Sequence, residues 1–166
     1  MEQKPFDINS SISSALQKYS DMVRRICFLY LHNSADVDDV FQEVFLKLLQ
    51  NKTPFESAEH EKAWLIRVTI NKCKDILKSF WRKNIDSIEN MELPFEEKSE
   101  NELLQVVLSL PEKYKEVIYL YYYEDYSVPE MAKVLNKSEN TLYSHLYRAR
   151  ALIKKQLGGK EDDYSF

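Results

Sequence analysis

A chain of 166 residues has room for one ordinary domain or two small ones, and its only two glycines, Gly158 and Gly159, exclude a glycine-rich phosphate loop, a nucleophile elbow or an Asn-Gly hairpin upstream of them. Cys27 and Cys73 stand alone, without C-x-x-C or Cys/His spacing, so neither a disulfide framework nor a zinc site is expected, and no metal or cofactor is implied. The formal net charge of -4 conceals opposite blocks: Lys62 to Lys83 holds seven basic residues against Asp75 alone and Lys133 to Lys155 six against Glu139 alone, whereas Asp86 to Glu102 holds seven acids against Lys98. Charge segregated in this way points to different partners for different surfaces.

Taken in chain order, the pattern predicts an all-α protein: two small helical domains joined by an acidic linker, the second containing a helix-turn-helix. The opening MEQKPFDINSS lacks a basic segment followed by an apolar core, and no run approaches the ~18 apolar residues of a membrane span, so a cytoplasmic protein without membrane insertion is expected. Between Ile8 and Leu31, Ile12, Leu16, Tyr19, Val23, Ile26, Cys27 and Tyr30 recur at spacings of three and four, which predicts a helix or a close helix pair. Ser34 is the expected cap of the next helix, where Val37, Val40, Phe41, Val44, Phe45 and Leu48 form an apolar stripe running to about Gln50. Asp36 and Asp38 suit its first turn, and its polar face presents Asp39, Gln42, Glu43 and Lys47.

Pro54 marks a loop, after which Ser57 caps a long helix to about Lys83 with Trp64, Leu65, Val68, Cys73, Ile76 and Phe80 as its inner face. Aromatic residues interleave with the cations of this stretch, a composition suited to single-stranded nucleic acid, where bases stack on aromatic faces and cations follow the backbone. Trp64 and Phe80 fit the core better, which leaves Phe55 in the loop and Trp81 beside Arg82 as contact candidates.

Residues 85–100 mix acids with Asn, Ser and Pro without periodicity and read as a linker between domains at 8–84 and 101–158. Ser99 and Glu102 form a capping box before Leu103, Val106, Val107 and Leu110, and Pro111 restarts a helix through Tyr123. A second capping box, Ser127 with Glu130, opens a short helix bearing Met131, Val134 and Leu135. Asn136 and Lys137 break the pattern, and Ser138 caps a last helix on which Leu142, Leu146, Ala149 and Ile153 recur. The outer face of that helix carries Asn140, Tyr143, Ser144, Tyr147 and Arg148, side chains that read base edges and neutralise phosphates in a major groove. On patterning alone the same pair fits an αα-hairpin with a solvated charged face.

Catalysis finds no local support. A carboxylate metal site from Asp36, Asp39 and Glu43 would want Glu-x-x-His on a facing helix, yet Leu29, Ser57 and Leu142 stand three residues before His32, His60 and His145. A protein without enzymatic activity is expected.

The strings Asp38-Asp39-Val40-Phe41-Gln42-Glu43-Val44-Phe45-Leu46-Lys47, Ala63-Trp64-Leu65-Ile66-Arg67 with Asn71 and Asp75, Leu110-Pro111, Glu130-Met131-Ala132 and Thr141 to Arg150 together resemble an extracytoplasmic-function (ECF) sigma factor of bacterial RNA polymerase. The resemblance covers almost the whole chain. It implies that the first domain docks on core RNA polymerase through Asp39, Gln42 and Glu43. It implies that the melted non-template strand of the -10 element is held by Phe55 and Asn71, with Lys72, Lys74 and Lys78 near the backbone, a role to which Trp81 is added. The helix-turn-helix would read the duplex -35 element through Ser138, Asn140, Thr141, Tyr143, Ser144, His145 and Arg148. The linker would run through the RNA exit path, and an anti-sigma factor is implied as a partner. Tyr143 and His145 stand where the family usually carries a cation and an Arg, so the -35 sequence does not transfer. His145 on the reading helix suggests duplex binding that tightens as pH falls through about 6.5. The alternative reading is a stand-alone helix-turn-helix regulator that binds duplex DNA as a dimer; a further one is a sigma mimic that sequesters a partner.

Overall fold

The computed structural model describes residues 8–83 and 102–158. Among these residues all regular structure is helical, and contacts divide the chain into two units, Met1–Pro94 and Phe95–Phe166. The expected linker at 85–100 and the Ser99 capping box lie outside the described residues.

In the first unit α1 (Ile8–Tyr30), α2 (Ser34–Gln50) and α3 (Ala58–Lys83) each pack against the other two. Val23, Ile26, Cys27, Leu31, Val37, Val40, Val44, Leu65, Ile66 and Cys73 are at most 1% exposed and form the core. Each aliphatic side chain removed from water in this way stabilises the fold by about 1.5–3 kcal/mol. Because α3 faces both α1 and α2, its buried surface is wider than the stripe expected from spacing. Ile66, Thr69, Ile70 and Leu77 are buried as well, while Trp64, Ile76 and Phe80 lie at its edges, half-buried. The Thr69 hydroxyl donates to the Leu65 carbonyl at 2.6 Å, so this polar side chain is satisfied inside the core.

The cap of α2 is Asn33 and not Ser34. Asn33 has extended backbone (φ -138), its Oδ1 accepts from the Asp36 amide at 2.8 Å, and its Nδ2 donates to the Asp36 carboxylate at 2.8 Å. Asparagine reaches the N3 amide from one residue earlier, which leaves Ser34 as the first helical residue. Ser57 does cap α3, accepting from the His60 amide at 3.0 Å.

In the second unit α4 (Glu102–Ser109), α5 (Glu112–Ile118) and α6 (Val128–Leu135) all pack on α7 (Glu139–Gln156), which carries Leu142, Leu146, Ala149 and Ile153 into the core against Val117, Leu120 and Met131. The helix expected to continue from Pro111 through Tyr123 changes pitch at Tyr119. Tyr119–Tyr123 is a π-helical turn, closed by the Glu124 amide donating to the Tyr119 carbonyl at 3.2 Å. Aromatic packing stabilises the wider turn: Tyr119 and Tyr123 stack at 5.3 Å, and the Tyr119 hydroxyl donates to Glu124 at 2.6 Å.

A chain so short of glycine must make its tight turns with other residues. Asp125 (φ 56), shortly before α6, and Asn136 (φ 53), directly after it, hold the left-handed conformation. Asparagine tolerates this position because its side chain is short and polar, and aspartate less well. Asp125→Gly is expected to stabilise the second unit by about 0.5–1 kcal/mol, read as a higher urea midpoint at constant slope.

Candidate nucleic-acid and polymerase interfaces

The outward stripe of α2 is built by helical spacing alone. Asp39, Gln42 and Glu43 are all exposed on it, and the stripe continues into Leu46 (54% exposed) and Leu49 (45%). Sequence patterning hid these two leucines, because adjacent apolar residues at the C-terminal half of an amphipathic helix read as core. Their spacing of three and seven from Glu43 and Gln42 is the signal that could have found them. The surface is therefore acidic at one end and apolar at the other.

The cations of α3 fall on two faces. At about 100° per residue Asn71, Lys74 and Lys78 align within one narrow stripe, whereas Lys72 is turned about 160° from Lys74. Lys72 points at α2, where its ammonium lies 3.2 Å from the Glu43 carboxylate. The stripe with Asn71 also takes in Arg67 and Arg82, both exposed. Lys74 is half-buried beside α1, with its ammonium 6.0 Å from the Tyr30 ring centroid. Trp81 lies in the last turn of α3, and its side chain is outside the described residues.

Phe55 is half-buried in the α2–α3 loop, edge-on to His60 at 5.4 Å and to Trp64 at 5.5 Å. It lines a cavity of about 860 Å³ together with Ile12 of α1, Leu48 and Leu49 of α2, Pro54 of the loop and Glu61 of α3. Asn71 is not among the lining residues.

In the helix-turn-helix both expected caps are present. Ser127 accepts from the Glu130 amide while the Glu130 carboxylate accepts the Ser127 amide at 2.7 Å, and this bond holds the Glu130 carboxyl below the usual carboxylate range. Ser138 accepts from the Thr141 amide at 3.2 Å and its hydroxyl lies 2.8 Å from that of Thr141, so both side chains serve the cap. Asn140, Tyr143, Tyr147 and Arg148 are exposed on the free side of α7, with Ser144 half-buried among them.

His145 is turned the other way, half-buried against α5, its ring edge-on to Tyr114 at 5.7 Å. Burial lowers its pKa, and Lys137 and Lys113 lower it further. The expected gain of duplex affinity through pH 6.5 therefore gives way to an effect on folding. A histidine with a depressed folded pKa leaves the unfolded chain to take the proton first, so its contribution is complete above about 6.5 and is lost as pH falls below that value. In urea titrations between pH 7.5 and 5, the second unit should lose stability on the acid side, and His145→Gln should flatten that loss. A variant with an unchanged pH slope would rule out His145 as its source.

One buried charge pair ties the turn to the core. Glu116 of α5 is 1% exposed, and the Lys137 ammonium, from the turn between α6 and α7, lies 2.8 Å from its carboxylate.

Fold and faces together define a helical protein with a helix-turn-helix domain and segregated charge. The family description "Sigma-70 region 2" matches residues 15–83 and "Sigma-70, region 4" matches residues 100–153. Over 142 residues the chain is 29% identical to RNA polymerase sigma factor SigV of Bacillus subtilis (strain 168), covering 83% of this chain and 85% of that protein. Over 164 residues it is 26% identical to ECF RNA polymerase sigma factor SigW of the same organism, covering 84% of each. The fold is also that of the sigma factor RpoE solved with the anti-sigma factor NepR from Bartonella quintana, with a TM-score of 0.76 at 17% identity over 90% of this chain and 98% of that one. The two matched regions together span most of the chain, which belongs to the sigma-70 family and has ECF sigma factors among its relatives, and its role is promoter recognition in transcription initiation.

Proposed function

We propose that this sigma factor docks on core RNA polymerase through the α2 stripe of Asp39, Gln42, Glu43, Leu46 and Leu49, and that it holds the melted -10 strand on the first domain and the duplex -35 element on α7. The observation that carries this reading is the separation of charge within one domain: an exposed acidic stripe on α2 and an exposed basic stripe on α3. A dimeric duplex-binding regulator has no use for either, so that alternative is not favoured.

The Asn71, Lys74 and Lys78 stripe, extended by Arg67 and Arg82, tracks a strand backbone, while Phe55 and its cavity offer an apolar wall for an unstacked base. Lys72 serves the strand only by giving up Glu43. In the second domain Ser138 and Thr141 preorganise the helix N-terminus, and Asn140, Tyr143, Ser144 and Arg148 face the groove. His145 contributes from behind, by packing on Tyr114. The protein performs no chemistry of its own and acts in the cytoplasm with polymerase. An anti-sigma factor is the expected regulator, as for the RpoE whose complex with NepR shares this fold.

Run-off transcription with core polymerase, this chain and fragmented genomic DNA, followed by sequencing of RNA 5′ ends, tests the proposal. Discrete starts that share two upstream elements support it. Duplex binding without starts would support the dimeric regulator instead, and a stable polymerase complex without DNA binding would support a sequestering mimic.

A further inference from the structure

Tyr143 and Tyr147 differ from every other described tyrosine of the chain. Tyr19, Tyr30, Tyr114, Tyr126 and the four tyrosines of the π-helical turn each engage a partner within the chain. Tyr143 and Tyr147 engage none among the described residues, and at 56% and 75% exposure they are among the most open large apolar side chains of the fold. They stand four residues apart on α7, with Asn140, Ser144 and Arg148 beside them.

Two free aromatic rings on a cationic reading helix call for a ligand that is polar around its edge and apolar at isolated points. A tyrosine cannot neutralise a phosphate, and it lacks the forked donors that take guanine O6 and N7 together. The apolar feature of a major groove is the C5-methyl group of thymine, and a ring lying along the groove floor can cover it. The rise between the two residues, about 6 Å, is close to two base-pair steps of about 3.4 Å. We infer that Tyr143 and Tyr147 determine promoter specificity by covering thymine methyl groups about two base pairs apart in the -35 duplex. The inference rests on the promoter-reading role proposed above for α7. It adds the class of base that α7 selects.

The test uses the full chain bound to core polymerase and promoter duplexes obtained from the run-off starts, in which each thymine of the upstream element is replaced in turn by 2′-deoxyuridine. That exchange removes the methyl group and leaves the base's hydrogen-bonding groups unchanged. Burial of one methyl corresponds to about fourfold in affinity, so wild type should lose about that factor at one or two positions. Tyr143→Ser and Tyr147→Ser should each bind the thymine duplex more weakly and each abolish the penalty at one position, while Tyr143→Phe keeps it. A merely structural role would weaken all duplexes alike and leave the uracil penalty in place.

Specific binding by wild type with no uracil penalty, or penalties that survive both serine variants, would overturn the assignment and leave the promoter-reading role standing. A complete absence of sequence-specific binding in the polymerase complex would overturn both. Because both side chains are exposed, the variants are expected to melt with wild type, and a thermal scan checks that.

Discussion

Lys137→Met is expected to destabilise the second unit by about 2–4 kcal/mol at pH 7, among the largest losses available to a single substitution in it. The Glu116 carboxylate is 1% exposed and the Lys137 ammonium at 2.8 Å is its counter-charge. Removing the cation from such a pair leaves the buried carboxylate with less compensation for its lost hydration, which costs more than the pair contributed. The side chain of Lys137 is 28% exposed, so water relieves part of that cost, and the figure lies below the full range for an enclosed pair.

The pH dependence identifies the cause. In the variant the buried carboxylate has lost its nearest cation, so protonation is favoured there more than in wild type and its folded pKa rises. A raised pKa gives a contribution that is present below the unfolded value and is lost as pH rises through the folded one. The deficit of Lys137→Met should therefore be small near pH 4 and complete at pH 7, and Glu116→Gln in the same chain should recover most of it. Trp64 and Trp81 both lie in the first unit, so tryptophan fluorescence follows that unit, and near-ultraviolet tyrosine dichroism, with nine of the eleven tyrosines in the second unit, follows chiefly the second. A Lys137→Met chain with the wild-type urea midpoint at pH 7 would show that the pair contributes nothing to stability.

Glu43→Arg is expected to weaken binding to core polymerase by roughly 30–200-fold, or about 2–3 kcal/mol. Glu43 is exposed on the acidic stripe of α2, where a partner of opposite charge is required by the proposed docking. Reversal does more than remove an attraction, since it sets like charges against each other across the interface. It also breaks the 3.2 Å pair with Lys72 and places two cations side by side on the surface between α2 and α3. Lys72→Met separates the two effects. That substitution dissolves the internal pair, whose side chains are 36% and 56% exposed, for less than about 1 kcal/mol of stability and leaves Glu43 free for polymerase. Core binding by Lys72→Met should equal or exceed wild type, while Glu43→Arg fails. Equal losses in both would mean that the ion pair itself, and not the acidic stripe, is what polymerase requires.

Most of the helices and caps were legible because their signals are local. Ser57, Ser127 with Glu130, and Ser138 cap their helices within three residues of sequence, and the apolar spacing of α7 fixes its buried face without reference to any other element. Asn33 displaced Ser34 as a cap because two adjacent polar residues each offer a side-chain oxygen that can accept from a helix amide, and the backbone decides between them. The π-helical turn was illegible for another reason. Its pitch is held by stacking among tyrosines that a period of 3.6 treats as ordinary core positions.

The sequence by itself determined that this protein is helical, that its charges are segregated, and that it carries a helix-turn-helix after a domain with the motifs of a sigma factor. The helices, the charge segregation and the helix-turn-helix follow from periodicity, composition and spacing, which act over a few residues at a time; the sigma-factor motifs are a resemblance of residue strings. Only the tertiary structure decided which way each functional side chain points. It turned Lys72 to Glu43, His145 to Tyr114 and Lys137 to Glu116, and it left Tyr143 and Tyr147 without partners among the described residues. A side chain's direction is set by the rotation of one helix against its neighbours, and that rotation depends on contacts made by residues far apart in the chain.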